Sequence, residues 1–439
     1  MDQFGQLALE GFQDQKFRDD ADTYPITYRI FSISVPDTPY TQVRYDNVHS
    51  DEIAGVFQES SHSSSSSSLP YTPLPSLRLV AIPSSVTANW ETALEIHKQS
   101  FIRIITSIGL NPAALWLIRH QYDGFHHIPQ ARNLEAFFFG TSLYALIWTF
   151  DRTTQSTRGI YVQRFKTRRV GVDTGFDTLI NILKKHKDQV YSPKLLAYCA
   201  CLDISFFFDV VLGKNELSFI RHIERSTGYG PESLGLRERY DIDELTRGLQ
   251  GLGGSLNNMA NHRRHLTMVE SIVAFLEREL AAVDEFPPPE THDQVEHASA
   301  RIMEGLPLLK SRIHATVGYI EYLKERSDRL SRTLFALLTH EDAATGVKLA
   351  ASSTKIAAAT KRDSSSMKTV AIMTMAFLPG TFFAALLAVP SFDDWVAAQD
   401  YVWVYWALTL PSTVFVFLVW GFLTNREWIG NVILGHGKG

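Results

Sequence analysis

The chain has 439 residues, a formal net charge of −5 and 45% hydrophobic residues. That length allows one or two soluble domains beside a membrane segment, and the near-neutral balance argues against a nucleic-acid binder. Its two cysteines, Cys199 and Cys201, form a C-x-C in an apolar stretch and read as reduced core residues, because a metal site would want four ligands.

Residues 1–24 are polar and predict a loose tail. They open MDQFGQLALEGFQDQ, with no basic region followed by an apolar core, so no signal peptide is expected. Residues 25–235 read as a cytosolic α+β domain. Thr27–Val35 alternates as a strand does, and Leu77–Ile82 reads as a buried strand. Between them, residues 59–75 are low in complexity, with six serines from Ser63 to Ser68. This insertion predicts a disordered surface segment or linker, with regulatory phosphorylation as a second reading. Trp90–Ile108 has helical periodicity and ends before Gly109 and Asn111-Pro112. Phe137–Phe150 and Thr157–Phe165 are β-rich runs whose polar spacer, DRTTQST, suggests a hairpin. After Gly175 the periods become helical and continue to Gly230-Pro231. Strands followed by helices fit an α+β domain.

Residues 236–366 read as a stalk of long helices. One arm runs from Asp241 to Phe286, interrupted by Gly248, Gly251, Gly253 and Gly254 and broken by Pro287, Pro288 and Pro289. A second arm starts near His292 and has no strong stop before the membrane. Its apolar positions, Ile302, Leu306, Leu309, Ile313, Val317, Ile320, Leu323, Leu330, Leu334 and Leu337, mostly alternate at three and four, as in a coiled coil. Pro307 should kink it near its start. Glu325–Arg329 and Asp328–Arg332 are spaced for ion pairs on the helix surface. So long a helix predicts partners, because a lone one cannot bury its stripe.

Residues 367–392 and 401–424 predict two transmembrane helices, joined by an acidic extracellular loop at 393–400 and followed by a cytosolic tail at 425–439. No charged side chain lies between Thr369 and Phe392 or between Tyr401 and Thr424. Each block exceeds the roughly 20 apolar residues that cross a bilayer. Lys355, Lys361, Arg362 and Lys368 precede the first span, Arg426 follows the second, and the loop carries Asp393, Asp394 and Asp400 without Lys or Arg. The positive-inside rule then puts both chain ends in the cytosol, and the plasma membrane is the expected location. On the first span Ser364, Met367, Ala371, Thr374, Leu378, Thr381, Ala385 and Ala388 fall at spacings of three and four, on a single stripe. Small and hydroxyl residues in such a stripe either line a pore or mediate helix packing.

No sequence feature reads as an enzyme or as a site for a cofactor. There is no G-x-x-x-x-G-K-[ST], no G-x-S-x-G, and no G-x-G-x-x-G after a strand. His262 and His265 (H-R-R-H) lack the carboxylate of a metalloprotease and read as a surface pair; His126-His127 reads as part of a turn.

The α+β domain, two long arms and C-terminal hairpin together resemble the CorA family of divalent-cation transporters. The local likeness is most specific from Leu337 to Phe383, and sharpest at Leu378-Pro379-Gly380-Thr381-Phe382, the L-P-x-T-F of the stalk-to-membrane helix. The chain is most similar there to the divergent CorA-like proteins of fungi. The resemblance implies a funnel of five identical subunits, lipid and divalent cations as partners, magnesium as the transported ion, and the first span lining the pore. Ser364, Met367, Ala371, Thr374, Leu378, Thr381, Ala388, Val389 and Pro390 would then form the ion pathway. One departure stands out: the family's Gly-Met-Asn falls on Ala388-Val389-Pro390 here, and Pro390 offers no side-chain acceptor. A non-conducting CorA-like scaffold or sensor is the alternative reading.

Overall fold

The structure is a computed structural model that describes residues 12, 15–18, 27–35, 41–49, 52–57, 75–86, 92–111, 113–129, 133–164, 175–230, 240–282, 291–389 and 401–424. The chain divides into two units, Met1–Leu338 and Thr339–Gly439.

The strands of the first unit are β1 (Lys16–Phe17), β2 (Thr27–Ser34), β3 (Gln42–His49), β4 (Ser76–Ile82), β5 (Ser84–Val86), β6 (Thr92–Leu94), β7 (Gly124–Pro129), β8 (Leu134–Gly140), β9 (Tyr144–Asp151) and β10 (Ser156–Gln163). Seven of them form a sheet in the order β3-β2-β4-β10-β9-β8-β7, in which β4 and β10 run parallel. β1, β6 and β5 form a smaller sheet. Both faces of the large sheet are covered, and the alternation of its side chains decides which face each residue serves. Leu77, Leu79, Leu146, Trp148 and Tyr161 point into one core. Ile30, Val80, Ile82, Ile147, Ile160 and Val162 point into the other.

The second core is closed by α1 (Lys98–Ser107) and α2 (Ala113–Arg119), through Phe101, Ile104, Ile105, Leu115 and Ile118. The first is closed by α3 (Phe176–Lys185), α4 (Leu195–Val211), α5 (Ser218–Thr227), α6 (Ile242–Ala281) and the start of α7 (His292–Leu387). α3 buries Phe176, Leu179, Ile180 and Leu183, one helical face. α4 runs into α5 through a π turn at Leu212–Leu217, and α5 ends at Gly228, whose φ of 75° suits a residue without a Cβ. α6 starts at Asp241, whose carboxylate accepts from Asp243 N at 3.0 Å.

The apolar stripe of the second arm is buried from Ile302 to Leu334, with Val317 and Leu337 partly so. At about 1.5–3 kcal/mol for each Leu or Ile fully buried, these contacts anchor α7 to the sheet-bearing core. Charged groups fix its rotation: Arg326 grips Glu224 of α5 through two bonds of 2.6 Å, and Arg263 of α6 meets Glu321 at 3.0 Å. The Glu325–Arg329 pair forms as its spacing predicts.

Several expectations from the sequence are corrected. The run Phe137–Phe150 is itself a hairpin, β8 and β9, because Thr141 makes a turn in which its Oγ1 accepts from the amides of Leu143 and Tyr144. Both strands are buried on both faces, so their apolar run carries no period to betray the turn. The start of Trp90–Ile108 is strand: Thr92–Leu94 pairs with β1 and β5, and helix begins only at Lys98. His126-His127 lies in β7, with the His127 ring stacked 4.8 Å from Phe137. His265 is buried, not a surface residue, and Phe208 lies against both it and His262. α6 runs unbroken through its glycines. Gly251 gives way to the Phe219 ring, which would meet a Cβ at 2.3 Å, whereas Gly253 and Gly254 have nothing within 4 Å.

Candidate ion pathway and the charged groups of the first unit

Beyond Thr339, α7 is almost wholly exposed, and it continues through the predicted first span to Leu387. Its apolar window is 6% buried, as is that of α8 (Tyr401–Thr424). Leu195–Thr227 is comparably apolar, but its apolar window is 72% buried and it belongs to the core of the first unit. Two helices are thus long, apolar and uncovered enough to meet lipid.

α8 meets one side of α7. Ala371, Met375, Pro379, Gly380, Phe383 and Leu387 of α7 are buried or half-buried; of these, Gly380 faces Tyr405 and Thr409, and Pro379 and Phe383 line a groove with Ser412 and Val416. Gly380 faces α8 closely, since a Cβ there would lie 3.1 Å from the Tyr405 hydroxyl. This gives the Gly of Leu378-Pro379-Gly380-Thr381-Phe382 a packing role that its sequence did not reveal.

The predicted stripe is centred on another side, and its Leu378 and Thr381 line an open groove with Ser412 and Val416 of α8. At roughly 100° per residue it is centred about 130° round the helix from the face that meets α8. Ser364, Met367, Thr374, Leu378, Thr381, Ala385 and Ala388 are exposed, Met367 and Leu378 at 74% and 67%. Ala371 is half-buried and borders both faces. Thr374 Oγ1 donates to Val370 O at 2.6 Å, and Thr381 Oγ1 donates to Phe377 O and Leu378 O at 3.1 and 3.0 Å. With the protons turned back onto the helix, the oxygen lone pairs are left to face outward as acceptors. That arrangement offers oxygen ligands to a hydrated cation. The helix closes with Ala388 N on Ala384 O at 3.2 Å and Val389 N on Leu386 O at 3.3 Å. Pro390, Asp393, Asp394 and Asp400 lie outside the described residues, as does the serine-rich insertion.

Sequence reading missed the charged centres of the first unit, whose members come from different strands and helices. Glu135 is buried and held by Lys194 at 3.1 Å, His127 at 3.2 Å and Arg152. Burial alone would raise its pKa, but these three outweigh it and hold the carboxyl down to about 2. Asp203 is the opposite case. Burial raises it to about 7, against the Tyr144 hydroxyl, which donates to Oδ2 at 2.9 Å. His265 Nδ1 sits 2.9 Å from Asn261 O, while its Nε2 lies 3.2 Å from Ser142 N and 3.4 Å from Asp123 Oδ2. No group of three or more His, Cys, Asp or Glu side chains among the described residues could hold a metal ion.

The fold and its helices define an α+β protein with two exposed helices of membrane-spanning length. No protein-family model matches the chain. Notoamide biosynthesis cluster protein M' of Aspergillus versicolor is 38% identical over 61 residues, a stretch that is 12% of this chain and 13% of that protein. Among solved structures the chain is similar to the full-length CmaX protein, at 13% identity and a TM-score of 0.41, over 90% of this chain and 98% of that one. It is also similar to the CorA magnesium transporter of Methanocaldococcus jannaschii, at 9% identity and a TM-score of 0.35, over 89% of this chain and 96% of that one.

Proposed function

We propose that the chain is a CorA-like membrane channel or transporter for divalent metal cations, magnesium being the expected ion. Five copies surround a pore lined by the first span, residues 367–392, and the second span, 401–424, lies outside it. Residues 25–235 and the stalk at 236–366 stay in the cytosol with both chain ends, beneath the plasma membrane. The observation that carries this reading is the exposed stripe from Ser364 to Ala388, centred away from the buried face of α7 and bearing two hydroxyls whose protons turn back onto the helix. In five copies Met367 and Leu378 make apolar constrictions and Thr374 and Thr381 make hydroxyl rings.

The outer entrance differs from the family's, with Ala388-Val389-Pro390 where the resemblance expects Gly-Met-Asn. The carboxylates of Asp393 and Asp394 take over part of that task by concentrating cations at the mouth, an effect screened over about 8 Å at physiological salt. Magnesium uptake into liposomes containing the protein tests both points. Flux above protein-free liposomes is expected, and changing Asp393→Asn with Asp394→Asn should lower apparent affinity, more so at low ionic strength. The same entrance favours a second reading, a CorA-like scaffold or sensor that does not conduct; absence of flux for magnesium and other divalent ions would select it.

A further inference from the structure

The pairing register of the large sheet brings three arginines into one row. Arg158 of β10 is opposite Arg78 of β4, Arg78 is opposite Ser32 of β2, and Ser32 is opposite Arg44 of β3. Residues opposite one another share a face. Ile160, Val80 and Ile30, two positions further on, belong to the core closed by α1 and α2, so the row lies on that face. Strands are about 4.8 Å apart, which sets Arg158 beside Arg78 and Arg44 about 10 Å beyond. The next row out is polar as well, with Ser76 opposite both Ser156 and Ser34.

Like charges in directly opposed positions destabilise a sheet by repulsion. Arg78 feels this most: its Nη1 donates to Val56 O, in the turn that follows Ile53–Gly55. Partial desolvation and then the charge of Arg158 lower its pKa, while Asp46 acts the other way. Asp46 lies two residues from Arg44 along β3, so these four groups sum to 3 − 1 = +2 in a chain whose formal net charge is −5. Arg158 has a contact of its own as well, and what matters is the side-by-side placing of the cations.

We propose that this row is a binding site for a soluble phosphate-bearing anion, gripped by Arg44, Arg78 and Arg158 with the Ser32 hydroxyl between them. Guanidinium forks match phosphate oxygens in pairs. A row reaching roughly 14 Å over three strand spacings suits a diphosphate better than a single small anion. Bound there, the ligand replaces Arg–Arg repulsion by ion pairs, so anion binding and the stability of the sheet rise together.

Inorganic pyrophosphate, titrated into the full chain in detergent at constant ionic strength, is the probe. Calorimetry should give saturable binding, and the thermal midpoint should rise above that in chloride of equal ionic strength. Arg78→Gln and Arg158→Gln should each weaken binding about tenfold or more, the worth of one charge-assisted contact. Arg332→Gln on α7 should leave it unchanged. Without anion, Arg158→Gln should melt about 2–4 °C higher than the parent, because it removes a like charge. Should Arg78→Gln fold poorly, Arg44→Gln on the edge strand β3 gives the same reading. Pyrophosphate behaving as chloride does at equal ionic strength, or full affinity in folded Arg44→Gln and Arg158→Gln proteins, would overturn the site.

Discussion

Asp203 and Glu135 show how opposite surroundings set two carboxyls apart. Glu135 has three cationic or donor partners; Asp203 has one neutral hydroxyl and an apolar shell. An unfolded carboxyl near 3.9 releases its proton well before a folded one near 7. Between those pH values the native state binds the extra proton, so this residue's contribution to stability falls as pH rises from about 4 to about 7 and stays low above that. Asp203→Asn keeps an oxygen to accept from Tyr144 and removes the charge. The variant should therefore gain about 2–4 kcal/mol over its parent at pH 8, and nothing near pH 4, because each pKa unit is worth about 1.4 kcal/mol. Urea unfolding across that range reads the difference directly; two parallel stability curves would show that Asp203 ionises normally. Glu135 runs the other way, since its depressed pKa stabilises the fold above about 4 and that contribution is lost as pH falls towards 2.

Helices α6 and α7 each carry glycine for reasons that differ along their length. Gly251 accommodates Phe219, whereas Gly253 stands open. Gly253→Ala should stabilise the protein by about 1 kcal/mol, the helix-propensity difference. Gly251→Ala should destabilise it, because overpacking costs about 1–3 kcal/mol and outweighs that gain. Thermal midpoints of opposite sign relative to the parent are expected, and a common sign would mean that α5 does not hold Phe219 there. On α7 the stripe and the face that meets α8 make separable claims. Leu378→Asn should raise resting leak, since a polar side chain eases the wetting of an apolar constriction. Phe377 and Phe382 lie off the stripe; if their substitution altered flux while Leu378→Asn did not, the pore would face another side of the helix.

For the whole molecule, the exposed length of α7 beyond Thr339 sets the main requirement. Val347, Leu349 and Ile356 stand 67–71% exposed in the single chain. So much apolar surface on a helix calls for protein partners, which under the proposed function are further copies of the chain. Native mass spectrometry in mild detergent should find five subunits, and a clean monomer at micromolar concentration would refute self-assembly. A cysteine introduced at Ser391 should react only from outside the cell if the proposed topology, with both chain ends in the cytosol, is right.

The two membrane-length helices, the stripe at Ser364–Ala388 and the buried positions of α7 from Ile302 to Leu334 were legible from sequence, because each is a local pattern repeated at helical spacing. The strands at Thr27 and Leu77 were equally plain. What stayed hidden depended on which residues meet across the fold. The turn at Thr141 disappeared inside an apolar run because both faces of that hairpin are buried. The contact of His265 with Ser142, the pairing of Glu135 with Lys194 and of Asp203 with Tyr144, and the fit of Gly380 against Tyr405 join residues 25 to 123 positions apart. The row of Arg158, Arg78 and Arg44 was likewise invisible, since strand register alone brings those three together. Periodicity records how one segment divides between core and surroundings; only the packed sheet and helices decide which charges become neighbours, and so which of them are stabilised, strained or left for a ligand.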